Sequence, residues 1–250
     1  MFYLGKNQLT GEAQPSPKAK HTDWTKRFEL LEKTCKYPAL KAFYQSGIVA
    51  GSTPISDVPM VALDFETTGL DVNSDSIVSI GLVDMSTTRI RCANAKHWLV
   101  KPDSQLRSKS VVVHGITHSA VADAPDFSTV IDQLLQHLQG KIIVVHHSPI
   151  ERAFLNAALK RHINEGIEFP VIDTMALEAR FCRKINKSIW RLLLSRKPAS
   201  IRLTDSRTRY HLPYYRQHHA MTDALACAEL LQAQCATHLK PDTPVNTLWS

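Results

Sequence analysis

The segment Val61-Ala-Leu-Asp64-Phe-Glu66-Thr67-Thr68-Gly69-Leu70 is an apolar run that emerges into two carboxylates one residue apart. Alternate side chains of a strand share a face, so Asp64 and Glu66 point the same way. Two like charges held among apolar neighbours raise each other's pKa unless a cation sits between them. A divalent metal resolves that repulsion, and hard oxygen ligands with room for water select Mg²⁺ or Mn²⁺ over zinc. The competing reading is two acids exposed at a strand end, with Gly69 simply making the turn.

Twelve histidines are present, and His146/His147 and His218/His219 form adjacent pairs. Neighbouring strand residues point to opposite faces, so a zinc hydrolase built on these pairs is disfavoured. The five cysteines are odd in number and contain no C-x-x-C pair, which fits reduced thiols better than a disulfide framework or zinc knuckle. Net charge is +7, yet Arg180 to Arg209 holds ten basic residues against Asp205 alone, a local +9 that leaves about −2 elsewhere. Phe181 and Trp190 interleave these charges, a composition suited to a phosphate backbone. A solvated basic face is the alternative.

The elements that must position these groups follow from periodicity. Residues 1–21 have none and read as a flexible tail. Trp24, Phe28, Leu31 and Cys35 mark one face of a helix that Pro38 interrupts, and Ala39 to Gln45 reads as a second. Residues 22–58 are thus a helical extension and linker, 59–240 the main domain, and 241–250 a C-terminal tail. Strand-like runs at Met60 to Glu66, Ser76 to Met85 and Arg89 to Val100 have connections too short for crossover helices, so they are antiparallel neighbours. A helix through Phe127, Val130, Leu134 and Leu138 precedes a strand Lys141 to His147, a helix Pro149 to about Asn164 and a strand Phe169 to Thr174. The last helix runs from about Ala220 to His238. This is an α/β fold: a mixed five-stranded sheet flanked by helices. No apolar run spans a membrane, and the N-terminus lacks a secretory leader, so a cytoplasmic protein is expected.

At this point the residues resemble a known family. Asp64-Phe-Glu66-Thr-Thr-Gly is similar to the first motif of the DEDDh 3′-5′ exonucleases, the superfamily of the polymerase proofreading subunit and ribonuclease T. His114-Gly-Ile-Thr117 resembles the tetrapeptide that follows the third strand. Val145-His-His147-Ser-Pro-Ile-Glu151-Arg-Ala-Phe154-Leu155 resembles the second motif, and His218-His-Ala220-Met-Thr-Asp223-Ala224 the third, H-x-A-x-x-D-A. The resemblance implies a ribonuclease-H-like fold in which Asp64, Glu66, Asp223 and Glu151 hold two ions of Mg²⁺ or Mn²⁺ and His218 is the general base. Five residues separate His218 from Asp223, about 140° on an ideal helix, so His218 must lie in the loop before it. His219 is the competing base. Glu151 stands where the family carries Asp; Ser148 and Glu151 also form an S-x-x-E capping box, which is the alternative role for this acid. His147 stands where Asn is common. By resemblance Thr67 and Leu70 contact the terminal nucleotide, the first through its backbone and the second by wedging against the base. Asp173 ends its strand and caps the next helix through Thr174.

The function expected is removal of mononucleotides from 3′ ends of single-stranded DNA or RNA, DNA favoured, in repair or proofreading. His147, Arg183, Lys184, Lys187, Trp190 and Arg191 would hold the strand. The alternative, from another class, is a nucleic-acid-binding or scaffold protein whose site is weakened at Glu151 and His147. A homodimer through Trp24 and Phe28 competes with their packing on the core, and polymerase association is open.

Overall fold

A computed structural model describes residues 22–186 and 199–250, with the side chains of 183–186 outside that description. Five strands, β1 (Met60–Thr67), β2 (Ile77–Met85), β3 (Ile90–Leu99), β4 (Ile142–Val145) and β5 (Val171–Asp173), form one sheet in the order β3-β2-β1-β4-β5. The β1–β2 and β2–β3 pairs are antiparallel; β1–β4 and β4–β5 are parallel. This is the mixed sheet expected from the short and long connections.

The helices are α1 (Trp24–Thr34), α2 (Pro38–Gln45), α3 (Ser108–His114), α4 (His118–Ala122), α5 (Ile131–Leu138), α6 (Ser148–Ile163), α7 (Thr174–Asn186), α8 (Leu203–Arg209) and α9 (Ala220–His238). Strand alternation sorts β1 between two cores. Val61, Leu63 and Phe65 pack with residues of α1, α2, α5 and α6, while Met60 and Ala62 pack with α7 and α9. Asp64 and Glu66 continue the second set, so the pleat itself aims them toward the α9 side.

Pro38 does more than interrupt α1: as the first residue of α2 it needs no intrahelical N–H partner. Trp24 and Phe28 are buried, and the Phe28 ring lies 5.4 Å from Phe43 and 5.2 Å from Tyr44. Their apolar area is already covered by their own chain, which removes them as a dimer face. The last ten residues, set apart above as a tail, are instead docked. Val245 and Leu248 are buried, and Ser250 exchanges both backbone hydrogen bonds with Val171, closing the free edge of β5. Among the described residues no helix is long and apolar enough to cross a membrane.

Candidate active site

The strand end of β1 is held by a tight loop. The Thr67 hydroxyl donates to the Gly69 carbonyl at 2.6 Å, and Thr68 accepts from the Ser76 N–H while donating to Asp75. Gly69 is required by space: a Cβ there would lie 2.3 Å from Asp75 Oδ2. Asp75 in turn pairs with Arg107 at 3.0 Å. Thr67 is thereby buried, and Leu70 stands out at the tip, 38% exposed.

Helix α9 meets this strand end through a second glycine. A Cβ on Gly81 would come within 2.2 Å of the Ala220 carbonyl carbon, so only glycine lets the first turn of α9 rest on β2. That contact brings Asp223 over the sheet. His218 precedes the helix, as the 140° argument requires, in the left-handed conformation at φ 66°. Its backbone N–H donates to Asp223 Oδ2 at 2.7 Å. Glu66, His218 and Asp223 consequently offer ligand atoms that all lie within 4.8 Å of one another. His219 is occupied differently: it is the N-cap of α9, and its ring lies 4.8 Å from that of His97 on β3.

The capping-box alternative for Glu151 is overturned. Ser148 is already helical, and the N-cap is His147, at φ 100° and with no side-chain cap bond. Asp173 caps α6 from a distance, accepting the His147 N–H at 3.1 Å and the Ser148 N–H at 2.8 Å. The same carboxylate accepts from Met175 and Ala176 at the start of α7. It therefore caps two helices directly rather than through Thr174, whose hydroxyl donates to the Val145 carbonyl. Outside any capping box, Glu151 is 5% exposed, and its Oε2 is buried with no hydrogen-bond partner among the described residues.

The electrostatics are those of an acid cluster short of positive charge. Burial, then the charges of Asp223, Glu66 and Glu151, push the Asp64 carboxyl well above the usual range. Glu66 is raised to about 8 by burial and by Asp223; Asp223 is raised to about 6 by burial, against hydrogen bonds from the His218 and His219 backbone. Glu151 is raised by burial. A buried carboxylate oxygen without a donor, beside three more acids that oppose each other's ionisation, fits a set of ligands for hard divalent cations.

Of the ten basic residues between Arg180 and Arg209, the side chains of only Arg180, Arg202, Arg207 and Arg209 are described, and of these only Arg207 is buried. Arg183 and Lys184 lie on α7, but their side chains fall outside the description, and Lys187, Trp190 and Arg191 lie outside the described residues. Arg207 is buried against Glu229 and Arg209 pairs with Glu178, so these two arginines are structural. The sequence reading also missed His97. Its signal is strand register alone: Ser79 pairs with Glu66 on β1, and the Ser79 hydroxyl lies 2.8 Å from His97 Nε2.

Acids converging at the end of a central strand, with a histidine on the loop before the helix that supplies another acid, define a phosphodiester nuclease of ribonuclease-H-like fold. The chain belongs to the RNase T exonuclease family, whose model matches residues 61–231. It is 30% identical to the PolC-type DNA polymerase III of Thermotoga maritima over 73% of this chain and 12% of that protein. It is also 30% identical to the DNA polymerase III subunit epsilon of Pasteurella multocida, over 50% of this chain and 53% of that one. The chain thus corresponds to little more than half of one relative and about an eighth of the other. The nuclease domain of 3′hExo, a DEDDh family member solved with rAMP bound, superposes with a TM-score of 0.58 at 18% identity, covering 72% of this chain and 92% of that one.

Proposed function

We propose that the protein removes mononucleotides from the 3′ end of single-stranded nucleic acid, DNA favoured, as a divalent-metal-dependent 3′-5′ exonuclease. The observation that carries this reading is the convergence of Glu66, His218 and Asp223 within 4.8 Å. Asp64 and Glu151, one of whose buried oxygens has no donor among the described residues, complete the set. These four acids would hold two ions of Mg²⁺ or Mn²⁺, which when bound supply an acidified water and neutralise the leaving oxygen.

The remaining roles fall to this chain's own groups. His218 accepts the water's proton on its imidazole; burial lowers its pKa, which favours the neutral ring that can take a proton. Asp223 orients it through the His218 backbone N–H. The Thr67 backbone holds the terminal nucleotide, and exposed Leu70 wedges against its base. DNA preference and association with a replicative polymerase are inferred from the two DNA polymerase III relatives.

The test is degradation of 5′-labelled single-stranded DNA and matching RNA in Mg²⁺, Mn²⁺ or chelator, wild type against Asp64→Ala. Stepwise shortening from the 3′ end that needs both metal and Asp64 is expected. Metal-independent or absent cleavage with intact binding would leave a nucleic-acid-binding protein.

A further inference from the structure

Arg207 belongs by sequence to the basic stretch, yet its side chain is only 4% exposed. Its guanidinium joins three elements. Nη1 donates to the Ala226 carbonyl at 2.7 Å; Nη2 donates to the Pro213 carbonyl at 2.8 Å and to Glu229 Oε2 at 2.7 Å. The guanidinium carbon also lies 4.6 Å from the centre of the Tyr215 ring, and the Tyr215 hydroxyl donates to Glu229 Oε1 at 2.9 Å. An apolar side chain of similar volume would fill this space without the cost of desolvating the guanidinium. What it would not supply is a rigid fork of donors with fixed directions.

Those directions converge on the segment that carries His218. Residues 210–219 have neither strand partner nor helical ladder. The segment leaves α8 through the N–H groups of Tyr210 and Leu212, both of which donate to the Arg207 carbonyl, at 3.0 and 3.1 Å. It rejoins α9 where the His218 N–H meets Asp223. Between these ends Pro213 and Tyr215 are held by the Arg207–Glu229 pair. Ala226, the third acceptor, lies three residues beyond Asp223 on α9. One buried side chain therefore ties the loop of the base to the helix of a metal ligand.

We propose that Arg207 is a positioning residue for His218: it fixes the 210–219 loop against α9 so that the imidazole meets the attacking water beside Asp223 and Glu66. The proposal rests on the exonuclease reading above. Displacement of a catalytic group by about 1 Å costs roughly 10²-fold in rate, so a loop free to slide would forfeit most of the contribution of His218.

The experiment is a double-mutant cycle. Arg207→Lys and Tyr215→Leu are each made in the wild type and in His218→Ala, and steady-state cleavage of a 5′-labelled oligonucleotide is measured with thermal melts alongside. Arg207→Lys is expected to lower kcat about 30-fold to 100-fold with KM within about threefold, and to add no loss in the His218→Ala background. Tyr215→Leu, which leaves the Arg207–Glu229 pair in place, follows the same pattern with a smaller loss and decides the matter if Arg207→Lys fails to fold. An equal fold-loss in both backgrounds, a loss confined to KM, or an unchanged kcat overturns the proposal. Full activity in His218→Ala alone overturns the general-base reading beneath it, which separates the two failures.

Discussion

Two sets of buried and half-buried acids meet along α9, and they are completed in opposite ways. Glu178 accepts from Arg209 Nε at 2.8 Å, the Tyr210 hydroxyl at 3.0 Å and the Gln234 side chain at 2.9 Å, while Glu229 receives Arg207 and Tyr215. Glu66, Glu151 and Asp223 instead all oppose the ionisation of Asp64, and one oxygen of Glu151 has no donor among the described residues. The first set is electrostatically finished by the chain itself. The second stores repulsion that a bound cation would relieve, which is how a fold holds a metal site at the expense of its own stability.

The largest expected effect tests that contrast where it is sharpest. Asp64→Asn removes a carboxylate raised by burial and three neighbouring acids. Activity is expected to fall at least about 10³-fold, equivalent to about 4 kcal/mol, while the melting temperature in chelator rises or stays level. A variant that loses activity because it unfolds more easily than the wild type would contradict the stored-repulsion account.

Glu178→Ala should do the reverse. Arg209, Tyr210 and Gln234 each lose an acceptor, and breaking such a buried pair costs about 3 kcal/mol. Urea denaturation should show this loss, with kcat per folded molecule unchanged. A large change in kcat at constant stability would mean that Glu178 takes part in the site.

The next effect is a pH dependence that differs between the two metal states. Glu66 and Asp223 have pKa values raised to about 8 and about 6 in the folded chain. A raised carboxylate contributes stability that is complete below its unfolded pKa and is lost as pH rises through the folded one. The buried histidines act the other way: His146, lowered to about 4 by burial, contributes stability present above its unfolded pKa of about 6.5 and lost as pH falls. At pH 6.5 the unfolded histidines are still half protonated and oppose the carboxylates, so the clean window is about pH 7.5 to 8.5, where Glu66 alone of these groups still titrates in the folded chain and the metal-free melting temperature should fall. Added Mg²⁺ should raise it more at pH 8.5 than at pH 7.5, and Glu66→Gln should flatten the slope. A flat profile in chelator for the wild type would show that the acids are not coupled.

What was legible beforehand follows the same division between local and distant causes. Strand pleat aimed Asp64 and Glu66, and helix geometry put His218 outside α9, because both rest on a few adjacent residues. The α1 stripe likewise marked Trp24 and Phe28 as a packing face. Gly81 had no local signature, since its need for a bare Cα arises from Ala220, far along the chain. The capping of α6 by Asp173 was hidden for the same reason: the local Ser148-x-x-Glu151 pattern offered a nearer cap that the fold does not use. Arg207 read as surface because composition records charge without the Glu229 that buries it.

The smallest predicted effect sharpens the comparison at that misread acid. With Asp173 holding the N-terminus of α6, shortening Glu151 by one methylene leaves the Asp173 caps intact and alters chiefly the reach of a buried carboxylate, one oxygen of which has no donor among the described residues, toward Asp64. Glu151→Asp is therefore expected to leave stability within about 1 kcal/mol and to change catalysis through the metal alone. The expected change is a rate in Mg²⁺ faster by about threefold to tenfold, at most about 1.4 kcal/mol, with an altered ratio of Mg²⁺ to Mn²⁺ activity. Calorimetric titration with each ion, run beside the rate assay, separates binding from chemistry. Unchanged rate and unchanged ion affinity would return Glu151 to the structural acids, leaving Asp64, Glu66 and Asp223 to hold the cations without it.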